Sequence, residues 1–331
     1  MTGKLCAILV SDLEPDAPLE DLATLDMARD IANALARLGY ETKTLPFPPD
    51  LGVMRARLED LKPDFAFNLV EAIFGKGALA YIAPSLLEDM ELPFAGSGAS
   101  AIFTTTDKIL TKQILKSLGI ATPGWAIAPD FADVDEAKHY IVKHAREDAS
   151  VGIHSDSVVQ GREAIIARAA RANSERAGVW FAEEYVDGRE FNIAVLEGEN
   201  GPEIMPLAEM TFHDYPEGKP KIVDYEAKWD EDTFEYENSR RFFIDEGKES
   251  ALAAKLKDAA LKSWNAFALR GWGRVDMRVD ESGTPLVIDI NANSDLCEGM
   301  GMADAAESAG ISYDALIARI VDCALRTSAA T

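Results

Sequence analysis

The sequence predicts an α/β unit with a largely parallel sheet, followed by α+β segments. Three observations carry this reading. Apolar strands and helices alternate strictly from about residue 4 to about residue 104. Beyond that point strand-like runs at 125–128, 139–143, 179–186 and 189–196 are broken by one clear helix, 161–176. Finally, 331 residues suffice for two or three subdomains with a large core.

Lys4 to Val10 is β-branched and apolar, hence a buried strand, and it runs out into the loop that starts at Ser11-Asp12. Leu22, Leu25, Ile31, Leu35 and Leu38 recur near helical spacing, and Gly39 stops that helix. Thr42 to Leu45 is a short strand, after which Pro46, Pro48 and Pro49 force a loop. Asp64 to Val70 is a strand, Ala78 to Met90 a helix, and Pro93 to Gly98 a strand end and turn. Thr106 is expected to open a helix with Leu110, Ile114, Leu115 and Leu118 on one face and Gly119 as its stop. A polar loop with a short helical segment is expected over 129–138, and a small-residue loop over 146–152. The acidic, aromatic stretch 198–249 reads as irregular, a length usually reserved for functional covers. A helix over 248–269 follows, then strands at 273–276 and 286–291 joined by Glu281-Ser282-Gly283, and a closing amphipathic helix over 313–325.

The net charge of −24 argues against non-specific nucleic-acid binding and for a cytoplasmic protein. It also obliges any anionic substrate to meet locally placed lysines and arginines. No run is long and apolar enough to span a membrane, and the N-terminus lacks a signal-peptide pattern. Three scattered cysteines resemble neither a disulfide framework nor a zinc site, and Cys297 reads as a small loop residue.

The densest chemistry lies in Gly273-Arg274-Val275-Asp276 and Leu286-Val287-Ile288-Asp289-Ile290-Asn291. Asp276, Asp289 and Asn291 offer hard oxygens suited to Mg²⁺. Arg274, two residues before Asp276, points to the same strand face. An arginine beside such an ion suits phosphoryl groups or a developing oxyanion. Taken alone, the pair could equally be a charged surface hairpin. Other features point to nucleotide phosphates. Lys108 sits in a first helical turn, and Lys143 leads into a loop that could lay backbone N–H groups on phosphate oxygens. Glu183 to Val186 is a strand end that could meet a purine edge, Glu190 could hold ribose hydroxyls, and Lys228 supplies a third cation.

In order and spacing these runs resemble the ATP-grasp superfamily, and within it the D-alanine–D-alanine ligase family. The resemblance rests on Pro93 to Gly98, Thr106 to Lys112, Ile141-Val142-Lys143, Glu147 to Gly152, Gly188 to Phe191, Asp224 to Lys228, Gly271 to Asp276, Ile288 to Asn291 and Ala309 to Tyr313. It implies an ATP-grasp fold with an N-terminal Rossmann-like domain at 1–105, a small lobe at 106–186 and a C-terminal lobe at 187–331. It implies ATP and two Mg²⁺ ions, with Mn²⁺ as an alternative. Lys108 and Lys143 would then hold ATP phosphates. Glu183, with the backbone of Glu184 and Val186, would meet adenine, and Glu190 the ribose. Asp276, Asp289 and Asn291 would bind metal. Arg274 and Lys228, with Ser150 in the loop, would be catalytic in passing a carboxylate through an acyl phosphate to an amide. The loop around Ser150 and the segment around Lys228 would close as a lid. The partners implied are small-molecule amino acids or amines, and members of the family are often homodimers.

The chain departs from the family pattern on the amino-acid side. The family's first-loop glutamate has no clear equivalent, and Glu14, Asp16 or Glu20 could replace it. The family's histidine-glycine segment is Asn68 to Gly75, its tyrosine after the lysine is Trp229, and the serine for the second substrate's carboxylate aligns with Met300. Met300 beside Asp295 and Glu298 suggests a neutral or cationic amine in place of a second D-alanine. An authentic D-alanine–D-alanine ligase, a non-catalytic ATP-binding protein and a bicarbonate-using ATP-grasp carboxylase are the competing readings.

Overall fold

The computed structural model describes residues 3–327. The first sheet is parallel, in the order β2-β1-β3-β4, from β1 (Leu5–Ser11), β2 (Glu41–Phe47), β3 (Phe65–Leu69) and β4 (Phe94–Ala95). Helices α1 (Leu19–Arg37), α2 (Leu51–Leu61) and α3 (Ile82–Asp89) connect these strands. β2 continues through Pro46, where a loop was expected. It is an edge strand, so the missing proline N–H costs no ladder bond inside the sheet. α2 was not anticipated, because the preceding prolines dominate the local pattern. Its start is nonetheless marked by Asp50, whose side chain accepts from Gly52 and Val53 N–H.

Two short helices lead out of this unit, α4 (Ala99–Thr106) and α5 (Lys108–Ser117). Thr106 closes α4 instead of opening the next helix. Asp107 caps α5 by accepting from the Leu110 N–H. A second, antiparallel sheet has the order β5-β8-β6-β7, from β5 (Trp125–Ile127), β6 (His139–His144), β7 (Val158–Gln160) and β8 (Trp180–Glu184), with α6 (Arg162–Glu175) on it. The 129–138 stretch holds turns and no helix.

The third sheet is antiparallel, in the order β12-β11-β9-β13-β14, with β10 on β9. It contains β9 (Arg189–Gly198), β10 (Gly201–Ile204), β11 (Ala208–Phe212), and, after α7 (Tyr225–Trp229) and α8 (Phe234–Asn238), β12 (Ser239–Phe243). The supposedly irregular stretch therefore holds three strands and two capped helical turns. Asp224 caps α7 by accepting from Ala227, and Thr233 caps α8 by accepting from Tyr236. α9 (Ser250–Ala266), β13 (Trp272–Val279), β14 (Pro285–Asn291), α10 (Gly301–Ser308) and α11 (Tyr313–Thr327) complete the chain. Among the described residues no helix is long and apolar enough to cross a membrane.

One core joins the two ends of the chain. Ile8, Val10, Ile31, Leu35 and Phe67 pack with Leu196, Trp272, Leu296, Leu316, Ile317 and Val321. At the rim, Arg37 on α1 makes a forked pair with Asp314 on α11 at 2.6–3.0 Å. The first sheet is thereby fixed against the third, and the space between the sheets becomes a defined cleft. Ile317 is fully buried in this junction. Ile317→Ala should therefore cost about 2–5 kcal/mol in urea unfolding. A loss under 1 kcal/mol would mean that α11 is peripheral.

Candidate active site

Strand periodicity builds one polar strip. On β9, Glu190 and Asn192 face the cleft, while Phe191, Ile193 and Val195 enter the core. On β13, Arg274, Asp276 and Arg278 face the cleft, while Val275, Met277 and Val279 enter that core. The register sets Arg278 opposite Glu190 and Asp276 opposite Asn192. On β14 a register shift after Asp276 pairs Asp276 with Asp289 and Met277 with Val287, leaving Ile288 as the extra residue. The bulge lets Val287 join the core while Asp289 and Asn291 turn to the cleft.

Asp276 is the centre of this strip. Arg274 donates to both its oxygens, Nε to Oδ1 at 2.7 Å and Nη2 to Oδ2 at 2.8 Å. Asn192 donates at 2.9 Å and Asn291 at 3.1 Å. Burial works against the Arg274 charge, but Asp276 outweighs it and raises the guanidinium pKa above its ordinary value. Glu190 pairs with Arg278 at 2.8 Å, both of them buried.

Lys108 comes up from α5. Its Nζ donates to the Glu147 carbonyl at 3.0 Å, pairs with Asp148, and lies 3.6 Å from Asp289. Burial opposes its charge, and the two carboxylates more than restore it. Lys143 lies 2.6 Å from Glu183, which also pairs with Lys112. Burial opposes the Glu183 charge, and the two lysines overcome it and hold the carboxyl below its usual range. The Glu184 N–H is taken by the Gly124 carbonyl at 2.8 Å, and its carboxylate by Lys138 at 2.6 Å.

The 149–155 loop and the 223–229 segment are docked on each other. Ser150 donates to the Val223 carbonyl at 2.8 Å, Trp229 Nε1 to the Ala149 carbonyl at 3.0 Å, and the Tyr225 N–H to the Ile153 carbonyl at 2.9 Å. Ala149 and Ser150 both adopt left-handed backbone, at φ 56 and φ 60, a strained conformation for side-chain-bearing residues. The Tyr225 hydroxyl crosses to the first sheet's unit and donates to Glu20 at 2.8 Å. Lys228 is half-buried, with no hydrogen bond or ion pair among the described residues. Burial and the nearby Arg274 lower its pKa.

All twelve residues singled out in the sequence line one cleft of about 800 Å³: Lys108, Lys143, Ser150, Glu183, Glu184, Val186, Glu190, Lys228, Arg274, Asp276, Asp289 and Asn291. Of the three first-loop candidates, Glu20 lines it and Glu14 and Asp16 do not. Met300 and Asp295 line it, whereas Glu298 lies outside. Several lining or supporting residues were missed. Asn192 and Arg278 lie two residues from Glu190 and Asp276 on the same strand faces, and Lys112 lies one helical turn from Lys108, so periodicity alone could have found them. Arg240 and Arg241 on β12 also line the cleft, and a methyl group on Gly301 would sit 3.4 Å from Arg241 Nη2. Arg241 is paired with Asp304 at 2.5 Å, so it leaves the acidic character inferred from sequence standing.

The donor set suits a hard divalent cation. Asp289 and Asn291 bring oxygens to the cleft beside Lys108, while Asp276 is already saturated by four donors. Such a site fits a Mg²⁺ that keeps several water or phosphate ligands. Among the described residues no cluster of three or more His, Cys, Asp or Glu could form an all-protein cage.

A family profile described as D-ala D-ala ligase C-terminus matches residues 124–322. The chain is 30% identical over 306 residues to a D-alanine–D-alanine ligase of Aquifex aeolicus, covering 90% of this chain and 94% of that protein. It is 32% identical over 270 residues to that of Chromohalobacter salexigens, covering 80% and 79%. Among solved structures, a Bacillus anthracis D-alanine–D-alanine ligase complexed with ATP superposes with a TM-score of 0.75 at 18% identity, covering 99% of both chains. A Coxiella burnetii D-alanine–D-alanine ligase gives 0.70 at 15% identity, covering 100% and 96%.

Glu71, at the end of β3, faces the cleft under a hydrogen bond donated by Thr24 at 3.0 Å. Its side chain is exposed to the water of the cleft, and the surrounding walls desolvate it only in part. That desolvation, with Asp295, Asp148 and Asp21 adding to it, pushes its pKa up to about 7. A carboxyl raised on folding contributes stability at low pH that is lost as pH rises through the folded value. Glu71→Gln should therefore leave the melting temperature nearly unchanged at pH 5. At pH 8 it should raise it by about 1–2 °C, a small effect because the group is water-accessible. An equal shift at both pH values would contradict this assignment.

Proposed function

The chain belongs to the D-alanine–D-alanine ligase family of ATP-grasp enzymes, ATP-dependent ligases that form C–N bonds, and from that premise we propose that it joins an amino-acid carboxylate to an amino acid or amine with release of ADP. The observation that carries this reading is the convergence of Lys108, Lys143, Lys228 and Arg274 on one cleft with Asp289 and Asn291. The domains are read as 1–105, 106–186 and 187–331, with ATP between the last two. A homodimer belongs to the same reading on resemblance alone, and a cytoplasmic location on the net charge of −24.

In the first step the carboxylate oxygen of one substrate takes the γ-phosphoryl group, giving an acyl phosphate and ADP. Lys108 and Lys143 hold the phosphates, and Lys228, half-buried with no side-chain hydrogen bond or ion pair among the described residues, meets the transferred group. Glu183 to Val186 would meet adenine and Glu190 the ribose, as the resemblance implies. A divalent ion held by Asp289 and Asn291, with Asp276 behind them, would neutralise phosphate charge when bound. In the second step an amine nitrogen attacks the acyl carbon, the C–N bond forms, the C–O bond to phosphate breaks, and the amine gives up a proton. Arg274, fixed by Asp276, is placed to stabilise the oxyanion of that tetrahedral intermediate. The docked loop and 223–229 segment keep water from the acyl phosphate.

The acceptor is the open point. Asp295 on the cleft wall favours a neutral or cationic amine, and Arg241 does not offset it, because its guanidinium is paired with Asp304 at 2.5 Å. An authentic D-alanine–D-alanine ligase is the second reading, favoured by the relatives' names. Strong ADP release with D-alanine alone would select it. A signal only with other amino acids or amines would select a rebuilt acceptor pocket.

Arg274→Met should reduce turnover by at least about a hundredfold while ATP affinity changes little. Single-turnover ADP formation and equilibrium ATP binding separate the two. Retained turnover would remove Arg274 from the chemistry.

A further inference from the structure

Lys112 holds an ammonium group that the mechanism above does not use; burial lowers its pKa, and Glu183 opposes that by favouring the charged form. It lies one turn after Lys108 on α5, so the two side chains share a helix face. It is only 2% exposed, as is Glu183. Its Nζ donates to Thr122 Oγ1 at 2.8 Å and pairs with Glu183, whose other oxygen lies 2.6 Å from Lys143. The Thr122 hydroxyl donates in turn to the Val287 carbonyl at 2.7 Å, two residues before Asp289 on β14. One buried side chain thus ties the second sheet, through Glu183 and Lys143, to the strand that carries the candidate metal ligands.

The charge balance of this group is informative. Lys112, Glu183 and Lys143 sum to one positive charge, in a protein of net charge −24. A buried excess charge is costly unless a counter-charge arrives. Without the Lys112 charge the group is neutral, because Glu183 then pairs with Lys143 alone and absorbs the ammonium a ligand would otherwise meet. We propose that Lys112 is a positioning residue for the nucleotide phosphates: by sharing Glu183 it leaves Lys143 with charge to spare for an anion. This rests on the reading that the cleft binds ATP, and it assigns a role to a residue that does not itself line the cleft.

Lys112→Gln removes the charge and keeps hydrogen-bonding capacity, and Lys112→Arg keeps the charge. Calorimetric titration of each variant and the wild type with ATP–Mg²⁺ and with adenosine tests the proposal. Lys112→Gln should lose about tenfold or more in ATP affinity and stay within about twofold for adenosine. Lys112→Arg should stay within about threefold for both. Equal losses for ATP and adenosine would reduce Lys112 to a structural anchor, and an unchanged ATP affinity would overturn the proposal outright. Lys112→Gln/Glu183→Gln returns the group to a single positive charge and serves where the single variant does not fold. Its ratio of ATP to adenosine affinity should match the wild type, and a ratio about tenfold lower would also overturn the proposal. A wild-type protein that binds no ATP would instead remove the reading on which the inference rests.

Discussion

The site depends on the hydrogen-bonded knot at Asp276. Three strands converge there, with Asn192 from β9, Arg274 from β13 itself and Asn291 from β14 all donating to one carboxylate. A half-buried arginine is held in place because that carboxylate meets it in a fork. A buried carboxylate is tolerable only because every lone-pair direction is used. The opposite faces of these strands are core, with Val275, Met277, Val287 and Ile290 in one cluster. The position of the Arg274 guanidinium is therefore set by core packing as much as by its own bonds.

The same logic governs the other cations. Lys108 answers Asp148 and Asp289, Lys143 and Lys112 answer Glu183, and Lys228 answers none among the described residues. A strongly acidic protein can hold a polyphosphate only where cations outnumber the carboxylates that fix them. The cleft meets that condition on the Lys112–Glu183–Lys143 side and at Lys228. The acceptor end is less one-sided, with Glu20, Glu71 and Asp295 on some walls and Arg240 and Arg241 on another.

The Lys108, Lys143 and Arg274–Asp276 side of the cleft was legible because its signals are local. Arg274 and Asp276 are two residues apart on a strand, and Lys108 and Lys143 sit at element ends with turn residues around them. Same-face partners such as Asn192, Arg278 and Lys112 obeyed the same periodicities but carried no motif of their own. Other features depend on distant parts of the chain. Tyr225 meets Glu20 across 205 residues, and Arg241 stands near Gly301 only because β12 and α10 pack together. The helical turns in 225–238 were hidden by length, since five-residue helices show no periodicity. Their caps, Asp224 and Thr233, were the available sign. The bulge at Ile288 was not legible either, because it exists only in the pairing of β13 with β14.

The most direct test of the account follows oxygen. The protein would be given ATP, Mg²⁺ and an amino acid that supports ADP release, labelled with ¹⁸O in its carboxylate. The inorganic phosphate formed would then be analysed by mass spectrometry. Passage through an acyl phosphate predicts one ¹⁸O transferred to phosphate for each amide bond made. ADP and phosphate formed without ¹⁸O would mean that water, not the carboxylate, receives the phosphoryl group, and the ligase account would be contradicted.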